Sequence, residues 1–350
     1  MNHTHFLQAA LAQATLGRGF CSPNPAVGAV LVKDNQIIAS GFHRGAGTAH
    51  AEVNALSNVD DAAGTILYVT LEPCCHQGRT PPCTAIILEK NIPHVVFGFK
   101  DPVQHTKTCG EDVLKKAGIR CEYVDSPEIN AFYTSFTKTT KTQKPFVTAK
   151  LAMSLDGKIA GKEGEPISIT GEALSTFTHT CRREADAILT TVKTVVNDDP
   201  QLNARTSDGE IKKPVYVVDA RLEMPETCRL FDTTKSITVF YDEAYANKLP
   251  KKAAVTYVPV KRSDSGLDGE AMFDYLGSQG VHDVWVEAGG EFFSSIVRAG
   301  LVDRAYLYVA AKVLGGDAYP AFNNAASLFQ TAKEKQWRLM GDDVMCVVEW

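Results

Sequence analysis

The stretch Thr70-Leu-Glu-Pro-Cys-Cys-His-Gln-Gly-Arg-Thr-Pro-Pro-Cys83, read with His50-Ala-Glu52, decides the fold of the first half of this chain. One imidazole, two thiolates and a nearby carboxylate are the donor set of a catalytic zinc site. Three protein ligands hold such an ion and the fourth tetrahedral position stays open for water. His50, Cys74 and Cys83 are the expected ligands. Cys75 and His76 are ligand types too, but adjacent side chains diverge on most backbones, so Cys74 and Cys75 rarely share one ion. A closed four-ligand staple is the alternative, and it has no use for Glu52. The spacing from Cys74 to Cys83 is wider than the usual two-residue spacer. The residues between them therefore read as a loop inserted at the mouth of the site, where it can touch substrate.

Working outward, residues 49–56 read as a helix that opens on the zinc residues. Positions two apart do not share a helix face, so His50 and Glu52 reach one metal only if His50 lies at the very start of that helix. Residues 65–71 read as a strand that delivers Glu72-Pro73-Cys74, and Cys83 opens a second helix through Lys90. A helix N-terminus lowers a thiol pKa and favours the thiolate that zinc needs. The order His-x-Glu…Pro-Cys…Cys is the zinc-deaminase signature, in which the Glu is not a ligand and instead moves protons. Glu52 takes that role.

Helical spacing of Phe6, Leu7, Ala10, Leu11 and Ala14 predicts a helix over 3–17, closed by Gly17 and Gly19. Residues 26–32 and 36–43 read as a hairpin turning at Asp34-Asn35. Asn24 and His43 flank it, as loop hydrogen-bonders or as ligand contacts. Strands over 94–99 and 119–124 and a helix over 111–117 complete a layered α/β domain. Residues 135–144 are polar, basic and nearly free of apolar side chains, which marks a boundary, with a solvated helix end as the alternative. The expected domains are 1–144 and 145–350.

In the second half, strands are expected at 145–152, 187–190, 214–219, 236–241, 254–260, 283–287, 304–311, 337–340 and 344–350. Helices are expected at 171–183, 267–279 and from Gly290 to Arg298, with turns at Ser154–Gly157 and Asn197–Pro200. Strand, Gly289-Gly290, helix is a junction that can cradle a phosphate, or simply a tight turn. No G-x-G-x-x-G follows any of these strands.

The chain is long enough for about two domains. A formal net charge of -5 with no Lys/Arg stripe argues against a nucleic-acid partner. No apolar stretch approaches a membrane span, and no secretory signal is expected. Nine irregularly spaced cysteines point to a reducing, cytoplasmic setting with two metal thiolates.

The first half resembles the cytidine-deaminase-like domain. The whole chain resembles the bifunctional riboflavin-biosynthesis deaminase/reductase family. The matching motifs are Pro23-Asn-Pro25, His50-Ala-Glu52, Thr70-Leu-Glu-Pro-Cys74 and Gly78-Arg-Thr-Pro-Pro-Cys83 in the first half. In the second they are Ser154-Leu-Asp-Gly-Lys158, Asp186-Ala-Ile-Leu189, Asp198-Asp-Pro200, Arg205 and Leu301-Val-Asp303. The resemblance implies a dihydrofolate-reductase-like α/β second domain and a homo-oligomer built through it. It implies one Zn2+ per chain and NADPH. It also implies two reactions on a small phosphorylated pyrimidine: hydrolytic loss of the 2-amino group as ammonia, then reduction of the ribose to a ribityl chain. In this reading Asn24, His43, His76 and Arg79 grip the pyrimidine. NADPH lies against Ala152, Thr194, Asp198 and the Gly289-Gly290 helix start. The reductase substrate lies against Lys150, Arg182, Leu202, Arg205 and Glu287.

Several positions depart from the family pattern. Val103-Gln104 and Thr106-Lys-Thr108 replace the usual deaminase loop, and Ala49 replaces a Pro. In the reductase, Pro166 and Ser168 stand where the family has Ser and Trp, and Ala310-Ala311 stands for Ala-Pro. Two competing expectations follow. One is a deaminase whose second domain binds or oligomerises without turnover. The other is a nucleic-acid-editing deaminase, which the charge opposes.

Overall fold

The computed structural model describes residues 3–78, 80–103, 109–207, 209–250, 254–263, 266–322 and 327–350. Asp34 and Asn35 take positive φ, 49° and 61°, which suits a two-residue hairpin turn. The turn joins strand Gly28–Lys33 to strand Gln36–Phe42, with Lys33 opposite Gln36. On its other edge Gly28–Lys33 pairs antiparallel with Ile66–Val69. Then His94–Phe97 and Arg120–Tyr123 follow in parallel, giving a five-stranded sheet.

Successive strand side chains point to opposite faces, and the sheet builds a core on each. Leu31, Leu67, Val95 and Phe97 face Ala51, Ala55, Leu56 and Ile87 from two short helices. Val30, Val32, Tyr68 and Val96 face Phe6, Leu7 and Ala10 from helix His3–Gly17, together with Ile129, Tyr133 and Phe136. Helix Ala51–Leu56 lies directly on the hairpin: a Cβ added to Gly41 would stand 2.4 Å from the Ala55 amide nitrogen.

The polar stretch expected to be a boundary is helical. Ser126 caps helix Pro127–Phe132, which has Pro at its start, and helix Thr134–Thr142 follows, ending at Gln143 in left-handed conformation. Buried Phe136, Ser135 and Thr139 tie the second helix into the first core. The chain divides into two compact units, residues 1–143 and 144–350.

The second unit is built on a nine-stranded sheet. Its order is Val255–Val260, Ser236–Asp242, Pro214–Val218, Ala187–Thr191, Asp283–Glu287, Phe146–Ser154, Arg304–Ala310, Asp343–Glu349, Glu334–Met340. Neighbours are parallel from the first strand through Arg304–Ala310, and the last two strands are antiparallel. The inner strands, such as Val215–Val217 and Val284–Val286, are apolar on both faces because both faces are covered. The edge strand Glu334–Met340 exposes Trp337 and Leu339. Where a bare turn was expected at 197–200, a helix runs over Val192–Asp198, capped by the Thr191 hydroxyl and closed by Asp199 at φ 38°. A short strand, Lys158–Lys162, was also not foreseen. No helix among the described residues is long and apolar enough to cross a membrane.

Candidate active sites

His50 immediately precedes helix Ala51–Leu56 and is extended, with φ −71° and ψ 166°. That non-helical position lets its ring and the Glu52 side chain serve one centre. Cys74 follows strand Ile66–Val69 across a short loop, and Cys83 is the first residue of helix Cys83–Glu89. His50 Nδ1 is 3.1 Å from Cys83 Sγ and 3.5 Å from Cys74 Sγ, and the three ligand atoms lie within 4.8 Å of one another. Zinc bonds of roughly 2.0–2.3 Å in a tetrahedron place ligand atoms about 3.3–3.8 Å apart, so this nitrogen–sulfur–sulfur set fits zinc.

The unused ring nitrogen of His50, Nε2, is 3.2 Å from Thr80 Oγ1. That contact leaves the Nδ1 lone pair free for the metal. Thr80 was not singled out from the sequence, because only the fold brings it across the ring. The backbone N–H of Cys83 donates to Cys74 Sγ at 3.3 Å. Hydrogen bonds from Cys83, opposed by burial and helped by His50, hold the Cys74 thiol down at about 4. The same sharing with Cys74, together with burial, pushes the Cys83 thiol up. Cys74 is therefore the thiolate in the metal-free arrangement, and a bound dication deprotonates its partner as well.

Glu52 is 3% exposed. Burial, reinforced by the charge of Cys74, raises its carboxyl to about 6. His43 is brought beside this centre, its ring 5.4 Å from that of His50. His43 Nδ1 donates to the Ala49 carbonyl at 3.1 Å, so Nε2 accepts from the Asn24 amide at 3.1 Å. Burial lowers its pKa, which keeps this ring neutral. His76 is exposed and its Nδ1 lies 3.3 Å from Cys75 Sγ. It is not drawn into the Asn24–His43 pair. Arg79, Gln104 and Thr106-Lys-Thr108 lie outside the described residues, and Val103 is exposed.

In the second unit the expected substrate residues gather at the carboxyl end of the parallel sheet, where open α/β sheets bind ligands. Arg182 donates to Glu287 twice, Nε to Oε1 at 2.6 Å and Nη2 to Oε2 at 3.0 Å. Trp285 Nε1 donates to Oε1 at 2.7 Å and Lys150 Nζ to Oε2 at 3.4 Å. Burial pushes the Glu287 carboxyl up, but Arg182 and Lys150 overcome it and hold it well below the usual carboxylate range. Leu202 is buried with φ 46°, a strained conformation for a branched side chain. Arg205 Nη1 donates to Gln201 Oε1 and to Asn203 Oδ1, both at 2.6 Å.

The expected cofactor residues are more scattered. Ala152 pairs across the sheet with Tyr308. Thr194 is held by Thr191, whose hydroxyl accepts its N–H. Burial pushes the Asp198 carboxyl up, and the Lys150 charge works against that shift. Gly290 is a packing requirement: an added Cβ would stand 1.7 Å from the Ala321 carbonyl oxygen, whereas Gly289 faces open space. A cavity of about 330 Å³ opens beside the helix that Gly290 starts, at the carboxyl end of strand Pro214–Val218. Asp219, Arg221, Glu223, Glu291 and Ser295 line it, and none was expected from the sequence. At the rim, the Ser168 carbonyl accepts from Lys312 Nζ at 2.8 Å.

Comparison with known proteins finds two family matches. Residues 1–99 match the cytidine and deoxycytidylate deaminase zinc-binding region, and residues 145–346 match the RibD C-terminal domain. The chain is 33% identical to riboflavin biosynthesis protein RibD of Actinobacillus pleuropneumoniae, over 99% of this chain and 94% of that protein. It is 32% identical to RibD of Escherichia coli, over 98% of both chains. It superposes on Acinetobacter baumannii RibD with a TM-score of 0.84 at 30% identity, over 99% of this chain and 98% of that one. A Thermotoga maritima structure gives a TM-score of 0.87 at 29% identity, with the same coverage. That protein is described as a diaminohydroxyphosphoribosylaminopyrimidine deaminase/5-amino-6-(5-phosphoribosylamino)uracil reductase. Two α/β domains in the same order, matched along nearly the whole length, make this chain a member of the RibD family of riboflavin biosynthesis proteins.

Proposed function

We propose that this chain carries out two successive steps of riboflavin biosynthesis. Residues 1–144 deaminate 2,5-diamino-6-(5-phosphoribosylamino)pyrimidin-4(3H)-one. Residues 145–350 reduce the ribosyl group of the product with NADPH, giving 5-amino-6-(5-phosphoribitylamino)uracil. The observation that carries this reading is the His50–Cys74–Cys83 triad with buried Glu52 beside it.

In the first step, water adds to the 2-amino carbon and ammonia leaves. His50, Cys74 and Cys83 would hold zinc, which when bound lowers the pKa of water to about 7. Glu52 takes the proton of the attacking water and returns it to the departing nitrogen. Neutral His43, oriented by the Ala49 carbonyl, and Asn24 face the pyrimidine. His76 and Arg79 act from the inserted loop.

In the second step NADPH, when bound, would supply a hydride to C1′ of the ribose, while the C1′–O4′ ring bond breaks and O4′ takes up a proton. The cavity beside helix Gly290–Arg298 suits the adenosine end of such a dinucleotide, and Arg221 on its wall suits the 2′-phosphate. Ala152, Thr194, Asp198, Gly289 and Gly290 line the way to the reacting carbon. Lys150, Arg182, Leu202, Arg205 and Glu287 hold the substrate. The exposed edge strand with Trp337 and Leu339 supports a homo-oligomer built through this domain. None of the nine cysteines is in a disulfide, which supports a cytoplasmic setting.

Metal analysis with a coupled assay tests the reading. One zinc per chain, ammonia release from the diaminopyrimidine and NADPH oxidation on the deaminated product are expected. Ammonia release without NADPH oxidation would reduce the chain to a deaminase, and a zinc-free chain without ammonia release would overturn the proposal.

A further inference from the structure

Asn203 lies at the junction of the two arginines of the reductase site and is completely buried. Its backbone carbonyl accepts from Arg182 Nη1 at 3.1 Å, and its side-chain Oδ1 accepts from Arg205 Nη1 at 2.6 Å. The remaining donor, Nδ2, goes to Glu210 Oε1 at 2.8 Å. One residue thus touches both guanidiniums, and every polar atom of its side chain has a partner.

The two arginines are used differently. Arg182 directs Nε and Nη2 at Glu287 and Nη1 at Asn203. Its fork is committed to the protein. Arg205 spends only Nη1, on Gln201 and Asn203. Among the described residues no partner is seen for its Nε or Nη2, and these form the edge of the guanidinium that grips an oxyanion bidentately. Arg182 and Lys150 share the single charge of Glu287, and the carboxylate whose charge acts on Arg205 is Glu210, which accepts the Asn203 amide. Left unrestrained, Arg205 would swing away from Arg182 into water, because like charges repel.

We infer that Asn203 is a positioning residue: it holds Arg205 with its free edge outward as the anchor for the substrate's 5′-phosphate, and keeps Arg182 on Glu287. This rests on the reading of Arg205 as a substrate contact. Asn203 touches no reacting atom, and its effect reaches the substrate through Arg205.

The test compares the phosphorylated substrate of the reduction with the same riboside lacking its phosphate, on the full chain. Asn203→Ala should raise KM for the phosphorylated substrate about tenfold, the scale of one charge-assisted hydrogen bond. The riboside's KM, NADPH affinity and ammonia release should not change. Asn203→Asp paired with Glu210→Gln keeps an oxygen towards Arg205 and gives the other oxygen an amide donor in place of the Asn203–Glu210 bond, and this pair should retain the preference for phosphate. The double variant Asn203→Ala, Arg205→Ala should be no worse than Arg205→Ala alone, since both act through one contact. Equal KM changes for both substrates, equal losses in Asn203→Ala and in the Asn203→Asp, Glu210→Gln pair, or full additivity would each overturn the inference. If Arg205→Ala itself preserved the preference, the reading of Arg205 would fail first, and that outcome is seen without any change at Asn203.

Discussion

Thr70 Oγ1 and Tyr133 Oη lie 2.6 Å apart in the core of the first unit, and the direction of the proton between them is forced. Tyr133 has one hydroxyl proton and gives it to the Ala26 carbonyl at 2.9 Å. Thr70 must then donate to Tyr133, while its oxygen accepts the Gly28 N–H at 3.2 Å. This four-member relay ties the start of the zinc-loop stretch to the strand beside it. Tyr133→Phe should leave the Ala26 carbonyl and the Thr70 hydroxyl without their partner, costing about 1–3 kcal/mol. Denaturant unfolding followed by zinc release checks this, and an unchanged midpoint would show that the relay adds nothing.

Cys75 lies next to Cys74 and outside the His50–Cys74–Cys83 group that could hold a metal. Cys75→Ser should keep one zinc per chain and nearly full deamination, whereas Cys74→Ser should lose both. Metal content of the purified variants decides, and a zinc-free Cys75→Ser protein would mean that the wrong thiolate has been assigned.

Glu52→Gln separates binding from chemistry. Zinc should be retained, since the carboxylate is not a ligand. Ammonia release should fall by at least ~10²-fold, the scale for a positioned proton shuttle. NADPH oxidation on the pre-deaminated substrate should persist, and a parallel loss there would show that the two sites are not independent.

Glu287→Gln leaves Arg182 buried without its counter-charge, which costs about 3–5 kcal/mol near neutral pH. The folded-state pKa of Glu287 lies below the ordinary value of 4.5. Its stabilising contribution is therefore complete above 4.5 and disappears as pH falls towards the folded value. The gap between wild type and variant should stay constant from pH 7 to about 5 and close below 4.5. Melting of the second unit across pH measures it, and a gap that widened in acid would contradict the assignment.

Ser168 stands where the resemblance implies a Trp at the rim of the proposed cofactor site. Its carbonyl is held by Lys312, while Ile169 is buried and Ile167 half-exposed. An indole there adds burial worth roughly 1.5–3 kcal/mol if fully covered. Ser168→Trp should tighten NADPH about tenfold, equivalent to ~1.4 kcal/mol, and leave ammonia release alone. Fluorescence titration reports the affinity. Weaker binding in the variant would mean that this rim has been rebuilt around the smaller side chain.

The zinc centre was legible because its chemistry needs rare residue types at tight spacings, and His50 had to precede its helix to share a centre with Glu52. Thr80, Tyr133 and Asn203 were not legible. Each acts through a partner fixed only by the fold: thirty residues away for Thr80 and His50, sixty-three for Thr70 and Tyr133. Helix Thr134–Thr142 was only the alternative reading of the polar stretch because Phe136 is its only large apolar residue, so tertiary packing rather than periodicity makes the helix. Gly290 illustrates a motif with two readings. The glycine pair suggested a phosphate cradle or a tight turn, and close packing against the Ala321 carbonyl by itself already demands glycine at 290. The cavity wall at Asp219–Glu223 gave no motif at all, being assembled from a strand end and a distant helix.

The backbone of helix Ala51–Leu56 rests on Gly41 with no side chain in between. Most helix–sheet distances are set by interleaved side chains and shift whenever lineages exchange Val for Leu or Ile. Here the spacer has no thickness, and the position of His50 and Glu52 is referenced to main-chain atoms that substitution does not alter. The surrounding core, with Leu31, Leu67, Val95 and Ile87, is free to drift in evolution while His50 and Glu52 stay in register. The cost falls on a single codon: replacement of Gly41 would displace the catalytic helix as a whole.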